Sequence, residues 1–443
     1  MTTQLATPER VSYLTQLLNL RSPANSTFAE IRDRAAAWLQ ELAIPTTRDE
    51  EWQFTDLSGL LKIQFQAPTD IQLSSETIAE FVLPEAAQSH LVFVNGKYAS
   101  TLSNVEVLPE GVFAGNISEL PAQKRDRLGE YLAQQPGSEE VFTTLNTASL
   151  DDVAIIWVVK NQVIEMPIQL LCVAASGDAP TLVQPRCLVV AEANSSLTLI
   201  EQYTSTSAGC PDATGDRVYF TNSVAELWLA DNAQVEHLRV QRDAGAAFHI
   251  GKTAVTQSRD SRYTCHAIGF GAGLSRHNLD VFQTGEGTET TLNGLTLISG
   301  NQVADTHSTI ALSCPNGTAN QLHKNIIDGS AHGIFNGRVC VPQAAQLTNA
   351  SQLNRNLLLS PKARINTKPQ LEIVADNVKC AHGATVSQLE EDEVFYLQSR
   401  GLDRQTSEHL LVDAFAAEIL QQIRVPSVSK ILSQCVSCRT YLT

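Results

Sequence analysis

The sequence lacks an excess of positive charge, a long apolar run and any familiar hydrolase signature. Its formal net charge is −16 over 443 residues, whereas a nucleic-acid or anionic-membrane partner would favour a basic surface. Neither partner is expected. The longest apolar run, Val153-Ala154-Ile155-Ile156-Trp157-Val158-Val159, is far too short to span a bilayer. The opening Met1-Thr2-Thr3-Gln4-Leu5 shows no basic segment followed by an apolar one, so no secretory leader is expected. Nine cysteines, an odd number scattered along the chain, fit a reducing compartment better than a disulfide framework. A soluble, cytoplasmic protein is predicted.

Catalytic and nucleotide motifs are missing as well. Gly245-Ala246-Ala247-Phe248-His249-Ile250-Gly251-Lys252-Thr253 has one residue too many between its glycines for a phosphate-binding loop. Gly269-Phe270-Gly271-Ala272-Gly273-Leu274 lacks the third glycine of a dinucleotide fingerprint. Neither ATP nor NAD is expected to bind this chain. No Gly-x-Ser-x-Gly elbow and no His-Glu-x-x-His is present. Glu286 and Glu289 are close in sequence, but they fall in a turn, which makes them poor candidates for a paired-carboxylate glycosidase.

What is present divides the chain into three regions. Residues 1–148 read as mostly helical with a few short strands. Thr7-Pro8-Glu9 suggests a cap, an N1 proline and a first-turn acid ahead of Val11, Leu14, Leu17 and Leu18. Thr27-x-x-Glu30 reads as a capping box for a helix carrying Phe28, Ile31, Ala35, Trp38, Leu39 and Leu42 on one stripe, and ending at Ile44-Pro45. Residues 390–443 also read as helical. Gly401 stands where a helix C′ glycine belongs, and Asp403 caps a helix with Leu411, Ala414, Phe415, Ile419 and Ile423 at 3-4 spacing, which Val425-Pro426 closes.

Between them, residues 149–389 have no sustained helical period. Short apolar strands such as Cys187-Leu188-Val189-Val190 and Leu197-Thr198-Leu199-Ile200 alternate with polar turns, among them Asn194-Ser195-Ser196, Asp231-Asn232, Arg259-Asp260-Ser261, Gly285-Glu286-Gly287 and Pro315-Asn316-Gly317. From Asn232 onward the turns recur roughly every 26 to 30 residues. Such a period, built of short strands, predicts a solenoid whose coils stack into a parallel β-helix. A β-sandwich also shows short strands and regular turns. Runs that are apolar on consecutive positions, with asparagine and threonine inside strands, favour the solenoid over the cleaner alternation of a sandwich.

The ligand-type residues are few. Cys380 and His382 lie two residues apart, so on a strand both point to the same face and can address one metal or sulfur species. Cys435-Val436-Ser437-Cys438 is a single pair without a second pair or a nearby histidine to complete a zinc site. Cys314 and Cys340, and likewise His307 and His332, are about one coil apart and are expected to stack.

Several longer runs carry a resemblance. Asn336-Gly337-Arg338-Val339, Asn354-Arg355-Asn356-Leu357-Leu358-Leu359-Ser360, Asn366-Thr367-Lys368-Pro369-Gln370-Leu371-Glu372-Ile373 and Val378-Lys379-Cys380-Ala381-His382-Gly383-Ala384-Thr385 are similar to the SufB/SufD family of iron–sulfur cluster assembly proteins. Ser399-Arg400-Gly401-Leu402 and Phe415-Ala416-Ala417-Glu418-Ile419-Leu420 continue it. Ile44-Pro45-Thr46-Thr47-Arg48-Asp49-Glu50-Glu51-Trp52 and Val92-Phe93-Val94-Asn95-Gly96 resemble its SufD branch. Gln53-Phe54, Asp152 and the Cys435/Cys438 tail depart from the family pattern.

The resemblance implies a mainly β protein, a right-handed parallel β-helix flanked by helical N- and C-terminal regions. It implies a non-enzymatic scaffold subunit that works with a SufB paralogue and the SufC ATPase to build nascent clusters and pass them to apo-proteins. His382 would hold a transient iron–sulfur cluster together with a SufB cysteine, with Cys380 in support. No cluster would be permanently bound by the isolated chain. SufC would dock on the C-terminal helices, about residues 401–424, and SufB at the end of the β-helix. A homodimer is possible in isolation. An intracellular β-helix enzyme acting on a glycan is the alternative.

Overall fold

In a computed structural model of the chain, short strands wind into a β-solenoid of about eight turns between two helical regions. The structure describes residues 8–22, 26–175, 177, 179–206 and 218–441. Two sheets of ten strands each run along the solenoid. One ends on Arg364–Ile373 and the other on Lys379–Ser387. Successive strands within each sheet pair in parallel throughout the coils. Each coil therefore contributes one long strand to each sheet.

The coil length is not constant. In the sheet that ends on Arg364–Ile373, Phe248 pairs with Leu274, whereas His332 pairs with Arg364, a longer step along the chain. The repeat period predicted from the turns is close to these steps. The stacking expected of Cys314 over Cys340 and of His307 over His332 does not occur. Cys340 faces Ala311, His332 faces Val303, and His307 faces Asn336. The step from Val303 to His332 is longer than the spacing within either expected pair, so both pairs miss the register.

Alternate residues of each strand point into the solenoid, as the two-residue strand period requires. One inner column runs Leu227, Val255, Val281, Ile310, Val339 and Leu371 across six successive strands, and the first five are fully buried in the main apolar cluster. Burying each such side chain contributes about 1.5–3 kcal/mol. The outer face of the other sheet is covered too. Leu238, Val240, Ile268, Phe270, Leu295 and Leu297 pack against Val412, Ile419, Val428 and Leu432 of the C-terminal helices. Strands covered on both faces read as consecutive apolar runs, which accounts for the weak alternation in the sequence.

The corners carry the turn chemistry the sequence advertised. Asn194, Asn232, Asp260 and Asn316 adopt left-handed backbone with φ of +59°, +56°, +56° and +62°, a conformation that asparagine and aspartate tolerate better than other side chains. Each corner donates to the next: Asn194 N to Asp231 O at 2.9 Å, Asn232 N to Arg259 O at 2.8 Å and Asp260 N to Glu286 O at 2.9 Å. The side chains form a ladder as well, Asn232 Nδ2 to Asn194 Oδ1 at 3.0 Å and Asn194 Nδ2 to Asn161 Oδ1 at 2.8 Å.

The N-terminal region holds helices over Pro8–Leu18, Ala29–Leu39, Ser75–Ala79, Ala122–Arg125 and Val141–Ala148. Its strands His90–Val94 and Val112–Asn116 join the two sheets, pairing with Ile168–Ala174 and Ala154–Val158. Asp152, one of the departures from the family pattern, helps fasten them by accepting from Tyr98 N and Asn116 Nδ2, each at 3.1 Å. The proposed cap Thr7 lies outside the described residues. The capping box at Thr27 and Glu30 does not form as read. A 3-10 turn over Ser26–Phe28 precedes the helix, Phe28 occupies the cap position, and no side chain caps it.

The C-terminal region holds three helices, Glu391–Gln398, Arg404–Leu420 and Pro426–Tyr441. Gly401 takes φ of +94°, and the Asp403 carboxylate accepts from Thr406 N at 2.7 Å. Both follow the sequence reading. The helix ends at Leu420, before Ile423 and short of Pro426, so the proline does not close it; instead it opens a further helix at its first position, where a missing N–H costs nothing.

Candidate functional site

Lys379–Ser387 is the last strand of its sheet. It pairs on one side with Asn349–Leu358, and its other edge has no strand against it among the described residues. In register, Cys380 lies beside Ala350 and His382 beside Gln352. Ala350, Gln352, Asn354 and Asn356 are the buried, inward-facing positions of the neighbouring strand. Cys380 and His382 therefore share the inner face of the final coil, as their spacing predicted. Because no further coil lies over them, His382 is exposed while Cys380 is half-buried.

The two side chains have different chemistry. Cys380 packs against the main apolar core, and burial pushes its thiol up, only partly offset by the backbone N–H of Ala350. A protonated thiol is a poor nucleophile and a poor metal ligand. His382 makes no hydrogen bond among the described residues, and both of its ring nitrogens are unengaged. Its imidazole is the donor best placed to meet an incoming metal. No group of three or more His, Cys, Asp or Glu suited to a metal ion occurs among the described residues. Any site built on His382 needs donors from outside this chain.

Amide side chains form the floor beneath this coil. Gln352 Nε2 donates to Gln321 Oε1 at 2.9 Å, and Gln321 Nε2 to Ser308 Oγ at 2.7 Å. Asn354 Oδ1 accepts from Thr367 Oγ1 at 2.8 Å and from Asn356 Nδ2 at 2.7 Å. The Gln321–Ser308 and Thr367–Asn354 contacts cross from one sheet to the other through the solenoid interior, whereas Gln352–Gln321 runs along one sheet.

Cys435 and Cys438 lie in the helix Pro426–Tyr441, the first buried in the C-terminal apolar cluster and the second exposed. Cys314 sits in a turn and donates to Thr284 O at 3.2 Å. Cys340 donates to Glu372 Oε2 at 3.4 Å. Burial, joined by Glu372 against a smaller opposing pull from Arg338, pushes the Cys340 thiol up to about 11. The two apparent nucleotide motifs lie at solenoid corners, where Gly271 and Ala272 turn the chain between strands and no helix follows.

Sequence reasoning missed a buried ionic interior. His237 Nε2 meets Glu201 Oε2 at 2.9 Å, His237 Nδ1 meets Tyr263 Oη at 2.9 Å, and Tyr203 donates to Glu201. Burial alone would lower the His237 pKa, but hydrogen bonds to Cys265 and Glu201 outweigh it and raise the value to about 9. A second group, Arg276, Asp305 and His307, fastens the N-terminal segment to the solenoid. Arg276 donates to Asp305 Oδ2 at 2.5 Å and to Glu51 O at 2.6 Å, and its guanidinium lies 3.9 Å from the centre of the Trp52 ring. Burial would raise the Asp305 pKa, but Arg276 and His307 overcome it and hold the carboxyl at about 2. The signal for the first group was available in Glu201, His237 and Arg239, charged residues inside apolar strands. The second joins Glu51 and Trp52 to Arg276, segments so distant in the chain that no local pattern announces it.

Comparison with known proteins decides the family. The family model of the SUF system FeS cluster assembly SufBD core domain matches residues 172–415, and that of the SufBD protein N-terminal region matches residues 12–170. The chain belongs to the SufBD family of iron–sulfur cluster assembly proteins. It is 51% identical to an iron–sulfur cluster assembly SufBD family protein of Synechocystis, over 94% of this chain and 92% of that one. It is 30% identical to the iron–sulfur cluster assembly protein SufD of Escherichia coli, over 88% of this chain and 89% of that one. SufD of Bacillus subtilis is 26% identical over 90% and 91% of the two chains. Cys380 and His382 fall within the stretch matched by the SufBD core, as does most of the solenoid. No helix among the described residues is long and apolar enough to cross a membrane.

Proposed function

We propose that this SufBD protein is a non-enzymatic scaffold subunit whose His382 supplies one ligand to an iron–sulfur cluster completed by a partner chain. The observation that carries this reading is the placement of His382, exposed on the inner face of an uncovered last coil, with the half-buried Cys380 two residues away on the same face. Iron accepts imidazole in place of thiolate, with a change in potential. A scaffold must also give up its product, and ligands divided between two chains can be separated when the chains move.

The partner expected at the open end is a SufB paralogue, which would bring the cysteine ligand. The same open edge also leaves a homodimer open to the chain alone. The SufC ATPase is expected on the C-terminal helices, where Phe395, Tyr396 and Leu410 are exposed. ATP hydrolysis belongs to that partner, and its movement would open or close the shared site before transfer to apo-proteins in the cytoplasm. The cluster is cargo, assembled and released.

The test is anaerobic reconstitution with iron and sulfide of the chain co-purified with SufB and SufC. Replacing His382 with alanine should reduce cluster formation, read from the visible absorption band, while SufC remains bound. Wild-type cluster yield in that variant would sink the assignment. Cys380→Ala should have a much smaller effect, because its thiol is held in the protonated form.

A further inference from the structure

We infer that Gln352 is a positioning residue for His382 in the iron-bound state: the two side chains are not bonded in the metal-free chain, and on ligation the Gln352 carbonyl accepts one imidazole N–H while the other ring nitrogen holds iron. This rests on the reading of His382 as a ligand and goes beyond it by naming the group that orients the ring.

Three observations place Gln352 in that role. It is the strand partner of His382, one coil deeper and on the same inner face. Adjacent strands lie about 4.8 Å apart, so a glutamine amide reaches an imidazole in the next strand. Second, Gln352 is 2% exposed, and its Oε1 is buried without a hydrogen-bond partner. Its Nε2 is committed to Gln321 at 2.9 Å, and Gln321 in turn donates to Ser308. With the amides in this orientation, the carbonyl is the free end of the chain. Third, the facing position is Gly337, where a Cβ would collide with the Gln352 amide nitrogen. The glycine leaves room for the amide to lie within the narrow interior.

Burying a strong acceptor without a donor is costly, so it calls for an explanation. The next amide in the strand does not share the feature, since Asn354 Oδ1 already takes Thr367 and Asn356. A metal-bound histidine commonly donates its second ring N–H to a carbonyl or carboxylate, which fixes the tautomer and makes the other nitrogen a better ligand. Gln352 offers such a carbonyl, held in place by Gln321.

The test uses two readouts. In the metal-free full-length chain labelled with 15N-histidine, the His382 resonances are assigned by their loss in His382→Ala. Because the His382 and Gln352 side chains are unbonded without metal, the His382 15N shifts should be the same in the wild type and in Gln352→Leu, which shows that the substitution leaves the last coil intact. In the complex with SufB and SufC, loaded with iron and sulfide, the rate of cluster loss to a chelator should rise about 10- to 100-fold in Gln352→Leu. Gln352→Glu retains an acceptor and should restore most of the retention. Unchanged cluster loss in Gln352→Leu, or no recovery of retention in Gln352→Glu, with His382→Ala still defective, would overturn the inference and leave the ligand reading standing. A His382→Ala complex that keeps its cluster as the wild type does would instead overturn the ligand reading itself.

Discussion

At the scale of single residues, the solenoid interior is unusual for the charges it encloses. Glu201 and His237 are both fully buried and face each other at 2.9 Å. Because the folded chain raises the His237 pKa to about 9, against about 6.5 for an unperturbed histidine, it binds a proton that the unfolded chain releases sooner. Stability from this group is complete below about pH 6.5 and is lost as pH rises through about 9. Thermal unfolding followed from pH 6.5 to 9.5 should show a falling midpoint. The double variant Glu201→Gln with His237→Gln should flatten that slope. Replacing His237 alone leaves a buried carboxylate uncompensated, a defect of about 3–5 kcal/mol. An equal slope in wild type and double variant would refute the assignment.

At the scale of elements, corners and strands differ in how openly the sequence declares them. Left-handed corners select asparagine, aspartate and glycine for steric reasons, so Asn194, Asn232, Asp260 and Asn316 marked the coils without reference to a structure. Asn232→Gly should be tolerated, whereas Asn232→Val should cost about 1–2 kcal/mol through the left-handed backbone alone, measured as a shift in urea midpoint. Equal midpoints for the two variants would remove the steric argument. Register was not legible in the same way. Coil length varies with the loops, so a column of side chains cannot be assigned by counting, and the expected stacking of Cys314 with Cys340 failed for that reason. The last helix lies in a region read as helical, but its start was missed because Pro426 was read only as a terminator, though proline serves equally as a first helical residue. Of the candidate site, Cys380 and His382 were legible because a two-residue spacing needs no register. Gln352 was not, since it lies a whole coil before His382 in the chain and becomes its neighbour only through strand pairing.

At the scale of the whole molecule, the two ends of the solenoid are treated differently. One end is sewn shut by strands of the N-terminal region. The other stops at Arg364–Ile373 and Lys379–Ser387, with Ile373, Val374 and Val386 exposed. An open parallel edge with apolar residues is a template for another chain, and proteins that keep one generally cover it in use. In a solenoid each coil is stabilised mainly by its neighbours, so the last coil, with a neighbour on one side only, should open most readily. Amide hydrogen exchange on the isolated chain, at a concentration where it is monomeric, should therefore be fastest in these two strands among the long strands of the solenoid. Protection there should rise when SufB is added, while Phe248–Gln257 and Leu274–Gln283 change little. If the last coil is already as protected as those central strands in the monomer, the edge is stable on its own, and its exposure ceases to argue for a partner that completes the site at His382.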